Sequence, residues 1–425
     1  MKHLLQQHLL QTSKGNRRTG IYSVCSAHPW VLRAAAEQAK EDDSLLLIEA
    51  TSNQVNQDGG YTGMRPADFR RFAERVIDTV GFNRERMILG GDHLGPNPWR
   101  TLTPEAAMAN AIKMVEEYAR SGFSKIHLDA SMPCGNEATA LTDEAVAQRA
   151  ALLCKAAEES ASAAAFSKPV YVIGTEVPTP GGATHDLGEV AVTTSDAVEK
   201  TLEIHRQEFT KAGLENAWER VLALVVQPGV EFDHDHVVDY SRSKASTLST
   251  WLQTRKEAFV FEAHSTDYQR STAYSQLVQD GFAILKVGPA LTFAMREALF
   301  ALSAMEQQLV GTAEASHLPE MIEQTMLAEP AAWEPYYKGT PPQQGRLRVY
   351  SYSDRMRYYW AHPKVEAAVA RLIQNLNRLS LPETMLSAYL PQQYQLIREG
   401  VLRNDAESLV VDKIRDVLRI YSAAC

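Results

Sequence analysis

The chain has 425 residues, 45% hydrophobic and 22% charged, the balance of a soluble globular protein. Its net charge of −9 argues against nucleic acid or an anionic membrane as the main partner, because both require a basic surface. No run approaches the roughly 18 uncharged apolar residues of a transmembrane helix, residues 1–18 lack the apolar core of a secretory signal, and the scattered Cys25, Cys134, Cys154 and Cys425 indicate a reduced, cytoplasmic compartment.

In chain order, short runs rich in Val, Ile and Leu fall at residues 20–25, 44–50, 86–90, 125–129, 169–176, 220–227, 258–263 and 282–287. Such continuous apolar runs are expected of strands buried on both faces. They alternate with segments of helical periodicity at 31–40, 67–80, 104–120, 143–160, 195–212, 245–255, 273–280 and 291–308. Thr103-Pro104 reads as a helix start, with Thr103 as N-cap and Pro104 at the first helical position. Eight β-then-α units predict an α/β fold, a (β/α)8 TIM barrel over residues 1–310. An open doubly wound sheet is the alternative, disfavoured because no Gly-rich dinucleotide turn follows the first strand. Pro319, Pro330, Pro335, Pro341 and Pro342 make residues 311–346 read as a looping connector, and 350–425 as a helical C-terminal extension. The aromatic run 350–360 reads first as packing against the barrel or a partner subunit, and second as a surface for stacking on a ligand.

Function in such barrels sits at the carboxyl ends of the strands. Those ends carry His28; Glu49 and Asn53; Asp92-His93; His127 and Asp129; Glu176; Gln227; Glu262 and His264; and Lys286-Val287-Gly288-Pro289. So many polar groups at one rim of an apolar barrel would be costly without a use. Taken singly, each has a plain structural role: His28 as a helix cap, Glu49 and His127 as hydrogen-bonded core groups. The sharpest constellation is His93, Glu176 and His264 with Asp92 beside them. Two imidazoles and a carboxylate suit zinc or another divalent metal, which polarises a carbonyl and stabilises an enediolate, while Asp92 or Glu176 moves a proton. Hydrogen-bonded rim residues without metal are the alternative. Gly288, ahead of a helix, is a candidate phosphate contact, and Asn53 and Lys286 are further candidates for holding a sugar phosphate. The Asp- and His-rich stretch 232–236 reads as a solvated loop, Gly181-Gly182 as a flexible loop and His185 as an exposed residue. No phosphate-loop motif supports a phosphotransferase.

The stretches Leu47-Ile-Glu-Ala-Thr-Ser-Asn-Gln-Val-Asn56, Leu89-Gly-Gly-Asp-His-Leu-Gly-Pro-Asn97, Ile126-His-Leu-Asp-Ala-Ser-Met132, Val172-Ile-Gly-Thr-Glu-Val-Pro178 and Phe261-Glu-Ala-His-Ser-Thr-Asp-Tyr-Gln269 closely resemble the Z-type subunit of bacterial D-tagatose-1,6-bisphosphate aldolase. The resemblance is closer to the form used in galactosamine and N-acetylgalactosamine breakdown than to the galactitol form. It continues through Tyr350-Ser-Tyr-Ser-Asp354 and so covers essentially the whole chain. It implies an accessory subunit, non-catalytic by itself, that supports the activity and stability of a separate zinc-dependent Y-type class II aldolase. It also implies that Asp92-His93, Glu176 and His264 are similar in strand position to class II metal and catalytic groups. The chain departs from those enzymes at Gln227, where they place a metal-binding histidine; an amide is a weak zinc ligand. It also reads Lys286-Val-Gly-Pro289 where they carry an Asn-x-Asp phosphate signature. The second reading is a metal-dependent aldolase or isomerase acting itself on a sugar phosphate.

Overall fold

Every one of the eight apolar runs forms a strand: β1 (Ile21–Val24), β2 (Leu46–Thr51), β3 (Met87–Leu94), β4 (Lys125–Leu128), β5 (Val170–Ile173), β6 (Val221–Val226), β9 (Val260–Ala263) and β10 (Phe282–Val287), with the two-residue strands β7 (Glu231–Phe232) and β8 (Val237–Val238) between β6 and β9. The computed structural model describes residues 3–10, 18–137, 140–164, 166–175, 188, 190–255 and 257–425. The eight long strands pair in parallel and close into a barrel, β1 lying between β10 and β2. The helices between them ring the barrel, and the open-sheet alternative is excluded. Thr103 caps the helix Pro104–Arg120 by accepting from the Ala106 amide, and His28 caps Pro29–Glu41 by accepting from Trp30. Among the described residues no helix is long and apolar enough to cross a membrane.

Side chains alternate along a strand, so positions two apart share the barrel interior. Ile21, Leu47, Ile88, Val172, Val225, Val260 and Ile284 form one apolar cluster, into which the helix Leu4–Leu10 sets Leu5 and Leu9. Two residues further along their strands come Glu49, Glu262 and Lys286, which with Lys125 make a buried charged layer. Two residues beyond Lys125 and Glu262 come His127 and His264. The intervening positions, among them Ile48, Ile126, Phe261 and Leu285, join the larger core beneath the helices.

Two segments differ from the sequence expectation. The antiparallel pair β7–β8 was not foreseen, being too short for a periodic signal. The stretch 311–346 is not a plain connector: it contains the helix Leu318–Ala328 and most of Pro341–Tyr350. Pro319 and Pro341 lie in the first turns of these helices, where a missing N–H is no loss. No described residue beyond 310 is in a strand. The helix Ala406–Ser422 packs on Pro29–Glu41 and Pro289–Val310. The aromatic run packs onto the barrel's upper loops: the Tyr352 amide donates to the His234 carbonyl (2.8 Å), and the Tyr352 ring lies 4.2 Å from that of Tyr268.

Candidate functional site at the barrel mouth

The charged layer forms the floor of the site. Lys125, without exposed surface, has Nζ 2.6 Å from Glu49 Oε1 and 2.7 Å from Glu262 Oε2. Lys286 Nζ is 2.5 Å from Glu49 Oε2 and 2.8 Å from Asp92 Oδ1. Burial alone would discharge these amines. The carboxylates reverse it: Asp92 and Glu49 hold Lys286 well above its ordinary value, and Glu262 and Glu49 raise Lys125. Burial likewise opposes ionisation of Asp92 and Glu262, but His93 and Lys286 hold Asp92, and Lys125 and Lys286 hold Glu262, well below the usual carboxylate range.

Consecutive residues of a regular strand face opposite ways, yet Asp92 and His93 both line the cavity above this floor. The cause is a register shift between Gly91 and Leu94 where β3 meets β4, with His93 in the left-handed region at φ 48°. Such a bulge turns the extra side chain towards the mouth. His93 Nδ1 is fixed 2.8 Å from Asp129 Oδ2, and Asp129 in turn accepts from Ser131 Oγ at 2.7 Å. Burial lowers the pKa of His93, but Asp92 and Asp129 outweigh it and the net shift is upward.

One side-chain atom from each of Asp92, His127, Glu262 and His264 lies within 4.8 Å of the others. His127 Nδ1 is 3.0 Å from Asp92 Oδ1, and its Nε2 is buried with no hydrogen-bond partner. His264 Nε2 is 2.9 Å from Glu262 Oε1; burial lowers its pKa to about 4, which keeps the imidazole neutral. The cluster thus offers two imidazoles, one of them with an unpartnered Nε2, and two buried carboxylates, a donor set whose chemistry fits a divalent cation.

The structure brings Asp92, His93 and His264 to one cavity, with the His93 and His264 rings 4.8 Å apart. His93 is outside the four-residue cluster, and His127, read from sequence as a core group, and Glu262, read only as a strand-end residue, are in it. Glu176, Gly181, Gly182 and His185 lie outside the described residues. Gln227 is no ligand in this arrangement: its Oε1 accepts from the amides of Gly229 (2.8 Å) and Val230 (2.9 Å), closing its own turn. Gly288 lines the cavity, but its amide is not free for phosphate, because Asp267 Oδ1 accepts from Gly288 (3.0 Å) and Ala290 (2.9 Å). The N-terminus of Pro289–Val310 thus already holds an anion of the chain itself. Asn53 is exposed at the cavity edge and Lys286 lies in its floor. The stretch 232–236 is not wholly a solvated loop: Phe232 ends β7 and is buried with Asp233, which closes a turn by accepting from the amides of Asp235 and His236. Sequence reasoning missed Arg357 and Tyr358, which reach the cavity from the C-terminal extension. The enclosed part of the cavity holds about 90 Å³, and it opens to solvent at the barrel mouth.

Comparison with known proteins agrees along the whole chain. A family model described as D-tagatose-1,6-bisphosphate aldolase subunit GatZ/KbaZ-like matches residues 5–425. The D-tagatose-1,6-bisphosphate aldolase subunit GatZ of Salmonella paratyphi B is 50% identical over 425 residues, 100% of this chain and 99% of that protein. The subunit of the same name from Salmonella agona is 49% identical over 100% of this chain and 99% of its own length. A crystal structure described as a probable tagatose 6 phosphate kinase from Sinorhizobium meliloti 1021 matches with TM-score 0.88 at 47% identity, covering 96% of this chain and 100% of that one. Fold and full-length identity agree, and the chain belongs to the GatZ/KbaZ-like family of D-tagatose-1,6-bisphosphate aldolase subunits.

Proposed function

We propose that this chain is the accessory subunit of a class II D-tagatose-1,6-bisphosphate aldolase, and that it raises the activity and stability of a separate catalytic Y-type subunit in the cytoplasmic breakdown of tagatose 6-phosphate. The observation that carries this reading is the end-to-end match to a family described as a subunit. Gln227, tied into its own turn, supports it, since that strand end supplies no imidazole. A partner that binds only the folded enzyme stabilises it by mass action.

One observation favours a second reading, in which the chain itself acts on a sugar phosphate: the unpartnered His127 Nε2 beside Asp92, Glu262 and His264. Those four residues would hold zinc or another divalent ion, which when bound supplies a Lewis acid for a sugar carbonyl. The chain's own groups supply the rest. Lys125 and Lys286 hold Glu262 and Asp92 ionised and in place. Asp129 anchors His93 at Nδ1, which leaves Nε2 to hold or move a proton at a bound hydroxyl. The kinase description of the Sinorhizobium structure finds no phosphate-loop motif in this chain.

The deciding experiment mixes purified chain and Y-type subunit, follows aldol cleavage and thermal inactivation, and measures bound metal. The accessory reading expects little cleavage by this chain alone and a faster or longer-lived partner. Turnover by the chain alone that disappears in His127→Ala and His264→Ala would transfer the activity to this barrel. No change in the partner's rate or half-life would remove the accessory role.

A further inference from the structure

Part of the cavity wall comes from outside the barrel. Arg357 and Tyr358, in the single turn Arg355–Tyr358 of the C-terminal extension, line it with Tyr61, His93 and Lys286. Among the described residues, Lys286 and the helix N-terminus after β10 are already used by the chain's own carboxylates. Lys286 is held between Glu49 and Asp92, and the amides of Gly288 and Ala290 close on Asp267. Arg357 differs. Its guanidinium donates to the carbonyls of Ser353 and Asp354 and to Tyr358 Oη (3.0 Å), none of them a carboxylate. The carboxylate next in line, Asp354, instead accepts from Thr292 Oγ1. Among the described residues no carboxylate forms a direct ion pair with Arg357, although Asp354 and Asp267 act on it through space, and part of its donor fork stays unused. The neighbouring Arg355 is turned away, stacked 3.3 Å from the centre of the Tyr336 ring.

We propose that Arg357 is the anion anchor of this cavity and binds the phosphate of a phosphorylated ketose, whose sugar oxygens then face the cluster of Asp92, His127, Glu262 and His264. A planar guanidinium fork matches a phosphate through two parallel hydrogen bonds, where an ammonium offers only a point charge. The site is thereby divided: the barrel contributes the oxygen-binding cluster and the extension contributes the charge that selects phosphorylated over free sugar. This deepens the sugar-phosphate reading above and rests on it for the ligand class, but not on the metal.

The test is calorimetric titration of the full chain with tagatose 6-phosphate, tagatose and inorganic phosphate, together with elemental analysis for metal. Wild type should bind tagatose 6-phosphate more tightly than tagatose. Arg357→Gln should lose about tenfold to a hundredfold in affinity for the phosphate ester, with tagatose binding and metal content unchanged, and Arg357→Lys should fall between. Because Arg357 also braces residues 353–358, a second measurement uses the wild-type chain: tagatose 6-phosphate, but not tagatose, should shield Arg357 from phenylglyoxal, read by peptide mass spectrometry. Unchanged affinity in Arg357→Gln, or modification of Arg357 at the same rate with and without the ester, overturns the proposal. A metal-free chain in which the ester still shields Arg357 would remove the metal and leave the anchor standing.

Discussion

Lys125 has no exposed surface and lies between two carboxylates, so its charge is part of the fold. Replacing it with Met keeps much of its volume but leaves Glu49 and Glu262 with Lys286 as their remaining cation. Breaking a buried pair in this way costs about 3–5 kcal/mol, and urea denaturation of Lys125→Met should show a loss of that order. His205 gives the pH dependence. It is buried, with Nδ1 2.8 Å from the Thr201 carbonyl, and burial lowers its pKa from 6.5 to about 4. Below pH 6.5 the unfolded chain takes up a proton here that the folded chain refuses until about pH 4, so stability from this site is lost as pH falls through that window. His205→Leu should remove about 2 kcal/mol of the decline between pH 6.5 and about pH 5, measured as melting curves against pH. At this scale the sequence was a partial guide. Asp92, His93 and His264 stood out because they end apolar runs. His127 passed as a core polar group and Glu262 as a strand-end residue without a role, although their two-residue spacing from Lys125 and His264 already set them on one inner face. Arg357 carried no signal, since nothing local links residue 357 to a strand end.

Elements were read better than side chains, because a run of apolar residues and a Thr-Pro start are local facts. All eight barrel strands and their helices fall where periodicity set them, while prolines misled over 311–346 because a residue that ends one helix also begins the next. The end of β3 shows what periodicity cannot convey. A Cβ on Gly95 would lie 1.5 Å from the Asp129 carbonyl oxygen, so β3 and β4 approach this closely only with glycine there. Gly95→Ala must push the two strand ends apart, at about 1–3 kcal/mol or more, and must shift Asp129 away from His93. The expected result is a lower denaturation midpoint together with weaker metal retention in dialysis. A variant with wild-type stability and metal content would show that the strand ends yield without consequence.

At the scale of the molecule, the extension is integral to the barrel. Leu409, Val410, Ile414, Leu418 and Tyr421 of the helix Ala406–Ser422 are buried, and Tyr421 Oη lies 3.1 Å from Thr266 Oγ1 in the loop after β9. We therefore propose that the division near residue 310 separates architectural parts and not folding units. The full chain should melt in a single calorimetric transition, and a fragment ending at residue 310 should bind hydrophobic dyes and aggregate; two resolved transitions would contradict this. The Lys286–Glu49 bridge links residues 237 positions apart, one on the first half of the barrel and one on its last strand. Contacts that distant in sequence form slowly, after the entropy of closing the chain has been met. The cluster of Asp92, His127, Glu262 and His264, proposed above to hold a divalent ion, is likewise drawn from distant strands and should be absent from early intermediates, so that such an ion would have nothing to nucleate. In refolding from denaturant, zinc should leave the rate of the main phase unchanged and slow only the reverse reaction, so that the ion acts as a latch on a finished barrel and not as a seed for it.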